Sequence, residues 1–275
     1  MTTAAPTTAR TTDLSTGRHG ATADPSIAAV PFHRLLHVEL RKTVDTRSGR
    51  WLLAAIGLIT VGVIAVFLLA ADPGSLTFQR FVGVTSTPQS LLLPVLAILT
   101  VTTEWTQRTA LTTFTVEPSR LRVVLAKLVA VVLLGLLAVT LAVTAAAVAN
   151  VAGAGLLDGS GSWDLEAANV RDLVLLQVVA VLQGFAFGML LMSTPAAIVA
   201  YYVLPLLWST AFTLVDVLRD AAPWVDLNTA VAPLYSGTSL SGDDWAHVAA
   251  AGTLWVFLPL ALGVVRLLRR EVKSG

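Results

Sequence analysis

His33 and His37 stand four residues apart, the separation at which two imidazoles on adjacent helical turns can hold a metal ion. No carboxylate or third ligand joins them in a recognisable motif, so they read as surface histidines. Ser193 and Ser209 fall in apolar stretches, but no histidine lies at their depth to activate them, and His247 is placed near a span boundary. H-E-x-x-H is absent, which removes the commonest zinc-peptidase signature. No G-x-x-x-x-G-K-[ST] loop is present to cradle phosphates. Cysteine is absent, so disulfides, thiolate catalysis and cysteine-ligated metals are excluded. What remains is a charged constellation, Glu104, Arg108, Arg120, Arg122 and Lys127, suited to ion pairing and docking rather than to making bonds.

These charges lie on a polar island, EWTQRTALTTFTVEPSRLRVVLAK, between two long apolar runs. The spacing predicts a short helix over about 106–114 at the end of one membrane span. Pro118 falls where the next helix begins, a position at which its missing N–H loses no partner. Two readings of the island stand side by side. It receives mechanical work from a partner, or it is an ordinary loop whose positive charges set topology.

Hydrophobic residues make up 55% of the chain and charged residues 13%, with a mean hydropathy of +0.77. A soluble domain carries about 25% charged residues, so this chain cannot hide its apolar surface by folding alone. An all-α, polytopic membrane protein with six transmembrane helices is expected. Residues 1–30, rich in Thr, Ala, Gly and Pro, read as a retained disordered tail. Residues 31–50 form a basic amphipathic helix for the membrane surface, with Phe32, Leu35, Leu36, Leu40 and Val44 on one face. Residues 51–270 form the six-span domain.

The expected spans are 51–71, 88–103 (extending back toward 82), 121–150, 173–192, 196–215 and 246–265. The first is uninterrupted by charge and long enough for a ~30 Å hydrocarbon core. Pro94 is placed to kink the second. Ser193-Thr194-Pro195 turns the fourth sharply into the fifth. A long segment, 216–245, precedes the sixth.

Six spans put both termini on one side. Of the 18 Lys and Arg, seven precede Trp51, four lie between 104 and 127, and four follow Val265; only Arg80, Arg171 and Arg219 fall opposite. The positive-inside rule therefore predicts cytoplasmic termini. Trp51 and Trp105 fall at the expected inner interface and Trp245 at the outer one, as aromatic belts require.

No Asp, Glu, Lys or Arg is expected between the ends of any span; Arg122 and Lys127, in the first two turns of the third, are expected to snorkel to the interface. Self-powered carriers need ionisable groups at membrane depth, so that class is disfavoured. Uncharged polar residues do occur in the spans, among them Thr100, Ser209 and Thr213. They can line an amphipathic pathway, or they can hydrogen-bond neighbouring helices at ~0.6 kcal/mol each. Gly184 and Gly188 form a G-x-x-x-G that fits close helix contact, within one subunit or between two.

In sequence order, these features resemble the membrane subunit of a type-2 ABC exporter. Glu104 with Thr109 and TVEPSRLRVVLAK is similar to the E…T…P-x-R…(A)K stretch of many bacterial permeases of this kind. GFAFGMLLMSTPAAIVAYYVLPLLW resembles their paired fourth and fifth spans, and PWVDLNTAV their outer segment. The resemblance covers roughly 32–270. It implies a homodimer or pseudo-dimer with a second permease, and separate ATPase subunits that bind ATP and Mg on the cytoplasmic side. Residues 106–114 would be the coupling helix, with Glu104, Thr106, Arg108, Thr109, Thr112, Thr113, Phe114, Pro118 and Arg120 as the ATPase-coupling set. Spans two and five would line the path, and short outer helices in 216–245 would cap the exit. No catalytic, metal or cofactor residue in this chain is implied. Membrane lipids are the other expected partner, and nucleic acid is not one. A non-transporting scaffold docking a cytoplasmic partner through the same loop is the competing expectation.

Overall fold

The computed structural model describes residues 30–107, 109, 117, 119–236 and 240–269. Among them the chain is helical without strands. Amphipathic α1 (Phe32–Asp45) leads into α2 (Arg47–Ala70), followed by α3 (Phe78–Thr106), α4 (Arg120–Leu156), α5 (Ala167–Leu191) and α6 (Thr194–Leu214). A 3₁₀ turn at Asp216–Ala221 and two short helices, α7 (Ala222–Val225) and α8 (Leu227–Ser236), lead to α9 (Gly242–Gly252). A π turn at Thr253–Phe257 joins α9 to α10 (Leu258–Arg269). Six helical segments are long and apolar enough to cross a membrane: α2 to α6, and α9 through α10 as one span.

Local chemistry explains the boundaries. Thr46, in extended conformation, ends α1 and caps α2 by accepting the Gly49 N–H at 3.1 Å. The two helices turn so tightly there that a Cβ on Gly49 would stand 1.8 Å from the Thr43 carbonyl oxygen, which only glycine accommodates. The first span's helix therefore starts at Arg47, four residues before the expected edge. Thr77 caps α3, which runs unbroken through Pro88 and Pro94 and starts at Phe78, four residues before even the extended start expected at Val82. Met192 ends α5 in the left-handed conformation (φ 51°), and Pro195 sits in the first turn of α6, giving the expected sharp reversal. Ser241 and Asp244 close a reciprocal capping box on α9.

The core gathers around α3, which packs on α2, α4, α5 and α6. Leu93, Leu96, Ala97 and Val101 of α3 meet Val181, Phe185 and Met189 of α5 and Val124, Val131 and Leu134 of α4. Their approach depends on small residues: a Cβ on Gly184 would lie 2.6 Å from the Pro94 carbonyl oxygen, and one on Gly188 3.3 Å from Ile98 Cα. The G-x-x-x-G thus makes its contact within one subunit. Gly263 of α10 repeats the device against the Met189–Leu190 backbone. By contrast α2 and α6 bury little of their length and expose Leu58, Val61, Val66, Leu206 and Leu207, an arrangement stable only in an apolar surrounding.

Amphipathic α1 docks turned partly away from its apolar face, of which Leu35 is buried and Leu40 packs against the core. Its buried stripe is Leu35, Glu39 and Thr43, spaced by four, with Leu35 against Val123 and Ala126 of α4. Phe32, Val38 and Val44 are exposed, as are His33 and His37. The reason is electrostatic: the face carrying Glu39 has ionic partners that the apolar face lacks.

At the other end of the bundle, Asn150 donates to the carbonyls of Gly161 and Ser162, and Ser160 donates to the Leu76 carbonyl. These bonds tie the α4–α5 connection down. The short helices expected in 216–245 are present, packed through Leu227, Val231 and Leu234 onto Phe187 and Trp255. The Trp255 indole N–H closes this unit by donating to the Val225 carbonyl at 2.8 Å.

Candidate functional site

Four ionisable side chains form a closed ring where α1 meets the ends of α3 and α4. Lys127 Nζ lies 2.7 Å from one Glu39 carboxylate oxygen and 2.9 Å from Glu104. Lys42 Nζ lies 2.8 Å from the other Glu39 oxygen and 3.0 Å from the same Glu104 oxygen. Two carboxylates and two ammoniums alternate, so the ring is neutral. The Glu39 side chain is 1% exposed and that of Lys127 is 7%, which removes most solvent screening. Lys127 also reaches the Thr100 carbonyl at 3.4 Å. Burial opposes the Lys42 charge. The hydrogen bond to Glu39 and the negative charge of Glu104 outweigh it and hold the Lys42 pKa above the ordinary lysine value.

Each member is delivered by a regular element. Glu39 and Lys42 lie on neighbouring turns of α1. Glu104 stands on the last turn of α3, and Lys127 two turns into α4, about 10 Å along the axis from Arg120 at ~1.5 Å per residue. The expected snorkelling of Lys127 does not occur. Carboxylates brought by α1 and α3 give its ammonium better partners than the interface does, and the side chain stays inside. The expectation that the spans' interior holds no charge is corrected at this level, close to the ends of α3 and α4. Arg122 turns toward groups outside the spans: it pairs with Glu117 at 3.0 Å and donates to the Val30 carbonyl, fastening the chain entering α1.

A cavity of ≈ 270 Å³ lies beside the ring, bordered by Thr43, Gly49, Thr100, Thr103, Gln107 and Thr109. Thr100, proposed as a pathway residue, borders it, but its hydroxyl donates to the Leu96 carbonyl at 2.8 Å. Thr106 closes α3 rather than opening a separate helix, and its hydroxyl donates to the Thr102 carbonyl. Thr109 N–H donates to the Glu104 carbonyl at 2.9 Å. Arg120 reaches across to the Leu267 carbonyl at 2.5 Å, joining the start of α4 to the end of α10. Arg266 does likewise to the Leu190 carbonyl. Arg108, Thr112, Thr113, Phe114 and Pro118 lie outside the described residues, as does most of the helix expected over 106–114.

Ser209 and Thr213 are not brought to Thr100. Ser209 donates to Asp226 at 2.9 Å, and the Thr213 hydroxyl donates to the Ser209 carbonyl. Asp226 is completely buried, and one of its oxygens also accepts from the Thr229 hydroxyl and N–H, capping α8. Two of the buried acids, Glu39 and Asp226, escaped the reading of the sequence. Glu39 had a signal: it sits at helical spacing with Leu35 and Thr43, while Lys127 interrupts an otherwise apolar stretch. Opposite charges, each stranded on a face that should bury, point to each other. Asp226 had only the weaker D-x-x-T capping pattern.

Six apolar spans, an amphipathic helix docked by charge and a capped subdomain at the other end of the bundle define a polytopic α-helical membrane protein. Neither a protein-family model nor a curated protein sequence matches the chain.

Proposed function

We propose that the chain is the membrane-spanning permease of a type-2 ABC exporter, moving an amphipathic or hydrophobic substrate with energy from a separate ATPase. The observation that carries the reading is the ring of Glu39, Lys42, Glu104 and Lys127. It joins α1 to both spans that flank the 107–119 connection, so a push on that connection moves three helices together. The sequence supplies no nucleotide loop of its own, so the work comes from the partner that docks there. In this reading the ATPase binds ATP and Mg at the cytoplasmic face. The permease pairs with itself or a second permease in the cell membrane, and both termini are cytoplasmic.

Orientation is testable because the chain lacks cysteine. Cysteines introduced at Thr12 and Ser274 should be shielded from an impermeant thiol reagent in intact cells. One at Ser160, exposed in the α4–α5 connection, should be labelled. Labelling of both termini from outside overturns the assignment.

Coupling is tested by co-purifying the ATPase and measuring ATP hydrolysis in reconstituted membranes. Ala110→Pro should break the helix expected over 106–114, at about 3 kcal/mol or more for an interior position, and abolish permease-stimulated hydrolysis while insertion survives. Full stimulation by this variant would remove the case for coupling through the connection. A stable complex without stimulation by wild type would favour the scaffold.

A further inference from the structure

A second cavity, ≈ 480 Å³, lies between the N-terminal halves of α3 and α5, the middle of α6 and the end of α8, away from the ionic ring. Its size falls within the roughly 300–1,000 Å³ typical of small-molecule sites. Its chemistry is uniform in one respect: no lining side chain is charged. Ser86, Thr87 and Ser90 of α3, Gln177 of α5, Tyr201 of α6 and Tyr235 of α8 give it polar groups. Leu173, Leu176 and Val82 give it an apolar wall.

The polar groups are under-used by the protein itself. Ser86 and Ser90 donate their hydroxyl protons to carbonyls three residues back, leaving their lone pairs free to accept. Gln177 is 3% exposed, yet its Oε1 has no partner, and its Nε2 has only a long 3.4 Å bond to the Ser86 carbonyl. A buried amide left so poorly satisfied is costly unless something completes it. The terminal amide torsion of glutamine is broad, so a small rotation offers both ends of the amide to a ligand at the expense of one weak bond.

We infer that this cavity binds a neutral, hydroxyl-bearing amphiphile, of the chemical kind an aryl or alkyl glycoside represents. Hydroxyl protons of the ligand satisfy Gln177 and the serine oxygens, while its apolar portion lies on the leucine wall. An ion is rejected, because no counter-charge lines the cavity to offset its desolvation. As the substrate class of the exporter the assignment rests on the reading above; as a binding site it stands without it.

The test uses the full chain in lipid nanodiscs and two fluorescent probes differing by one carboxylate, 4-methylumbelliferyl glucoside and 4-methylumbelliferyl glucuronide. Saturable binding of the glucoside over empty nanodiscs is expected, with the glucuronide weaker by about tenfold or more. Gly83 borders the cavity, and a Cβ there meets no atom within 4 Å, so Gly83→Leu fills the space without a clash at its first carbon. It should weaken the glucoside by about tenfold, and Gln177→Leu by a smaller factor of roughly three to ten. Equal binding of the two probes, unchanged affinity in folded Gly83→Leu, or no saturable glucoside binding overturns the proposal. The comparison on wild type decides it even where a variant fails to fold. Glucoside binding without ATPase stimulation sinks the export reading alone; stimulation without glucoside binding sinks the site alone.

Discussion

Lys127→Met is expected to cost about 3–5 kcal/mol of unfolding free energy, because it removes one partner from a buried ionic ring. The substitution keeps the unbranched length and removes one of the two ammoniums that Glu39 and Glu104 share in the ring. Two carboxylates then face one ammonium that is itself 41% exposed, and a net negative charge is stranded at the α1–α3–α4 junction. Adding Glu39→Gln restores neutrality, leaving the Glu104–Lys42 pair, and should recover more than about 1 kcal/mol of the loss. Unfolding in mixed micelles, followed by tryptophan fluorescence at low and high salt, checks both. The deficit should depend only weakly on salt, since the lost Lys127–Glu39 contact is buried. A loss below about 0.5 kcal/mol for the single variant, the range of ordinary surface substitutions, would show that the ring does not hold α1 in place.

Gly184→Leu should be at least as damaging, through shape rather than charge. Its Cβ would stand 2.6 Å from the Pro94 carbonyl oxygen and 3.0 Å from Pro94 Cα, both backbone atoms that cannot swing aside. Overpacking of this kind costs about 1–3 kcal/mol and more where backbone is the obstacle. Here it separates α3 from α5, the pair on which the core is built. Gly188→Ala, with its nearest neighbour at 3.3 Å, should be much milder. Ranking the two by thermal unfolding tests the geometry. Both should leave the oligomeric state unchanged, because the glycine face is spent inside the subunit. Dissociation of an oligomer by Gly188→Ala in a protein of unchanged Tm would contradict that.

The six spans could be read from the chain because an apolar run of membrane length has few alternatives. The α5–α6 reversal was readable too, since Ser193-Thr194-Pro195 carries its own start signal. What sequence reasoning missed depends on distant partners. The apolar residues of α1 suggested one face, yet the fully buried stripe keeps only Leu35 of it and centres on Glu39, whose partner Lys127 lies 88 positions away. The start of α3 was placed between Val82 and Pro88 rather than at Phe78 because Gln79, Arg80 and the serines and threonines that follow lower the hydropathy of a segment that is nonetheless helical. Gln79, Ser86, Thr87 and Ser90 among them also line the uncharged cavity. The coupling set was read as one stretch. Its described members instead part company, with Glu104 in the ring and Arg120 bonded to α10.

The π turn in the last span bears on how that span stays attached. Five of its buried residues, Ala251, Trp255, Pro259, Gly263 and Leu267, recur every fourth position, with Val256 buried beside them. On a helix of 3.6 residues per turn such a series drifts by ~40° at each step, about 160° from first to last, and would wind away from any straight neighbour. Leu258 donates its N–H to the Thr253 carbonyl five residues back, and that one wide turn takes up residues without completing the extra rotation. The phase error is thereby reduced midway. Trp255 can face the subdomain of short helices while Gly263, two turns on, still meets the Met189 backbone, and one seam runs the length of the span.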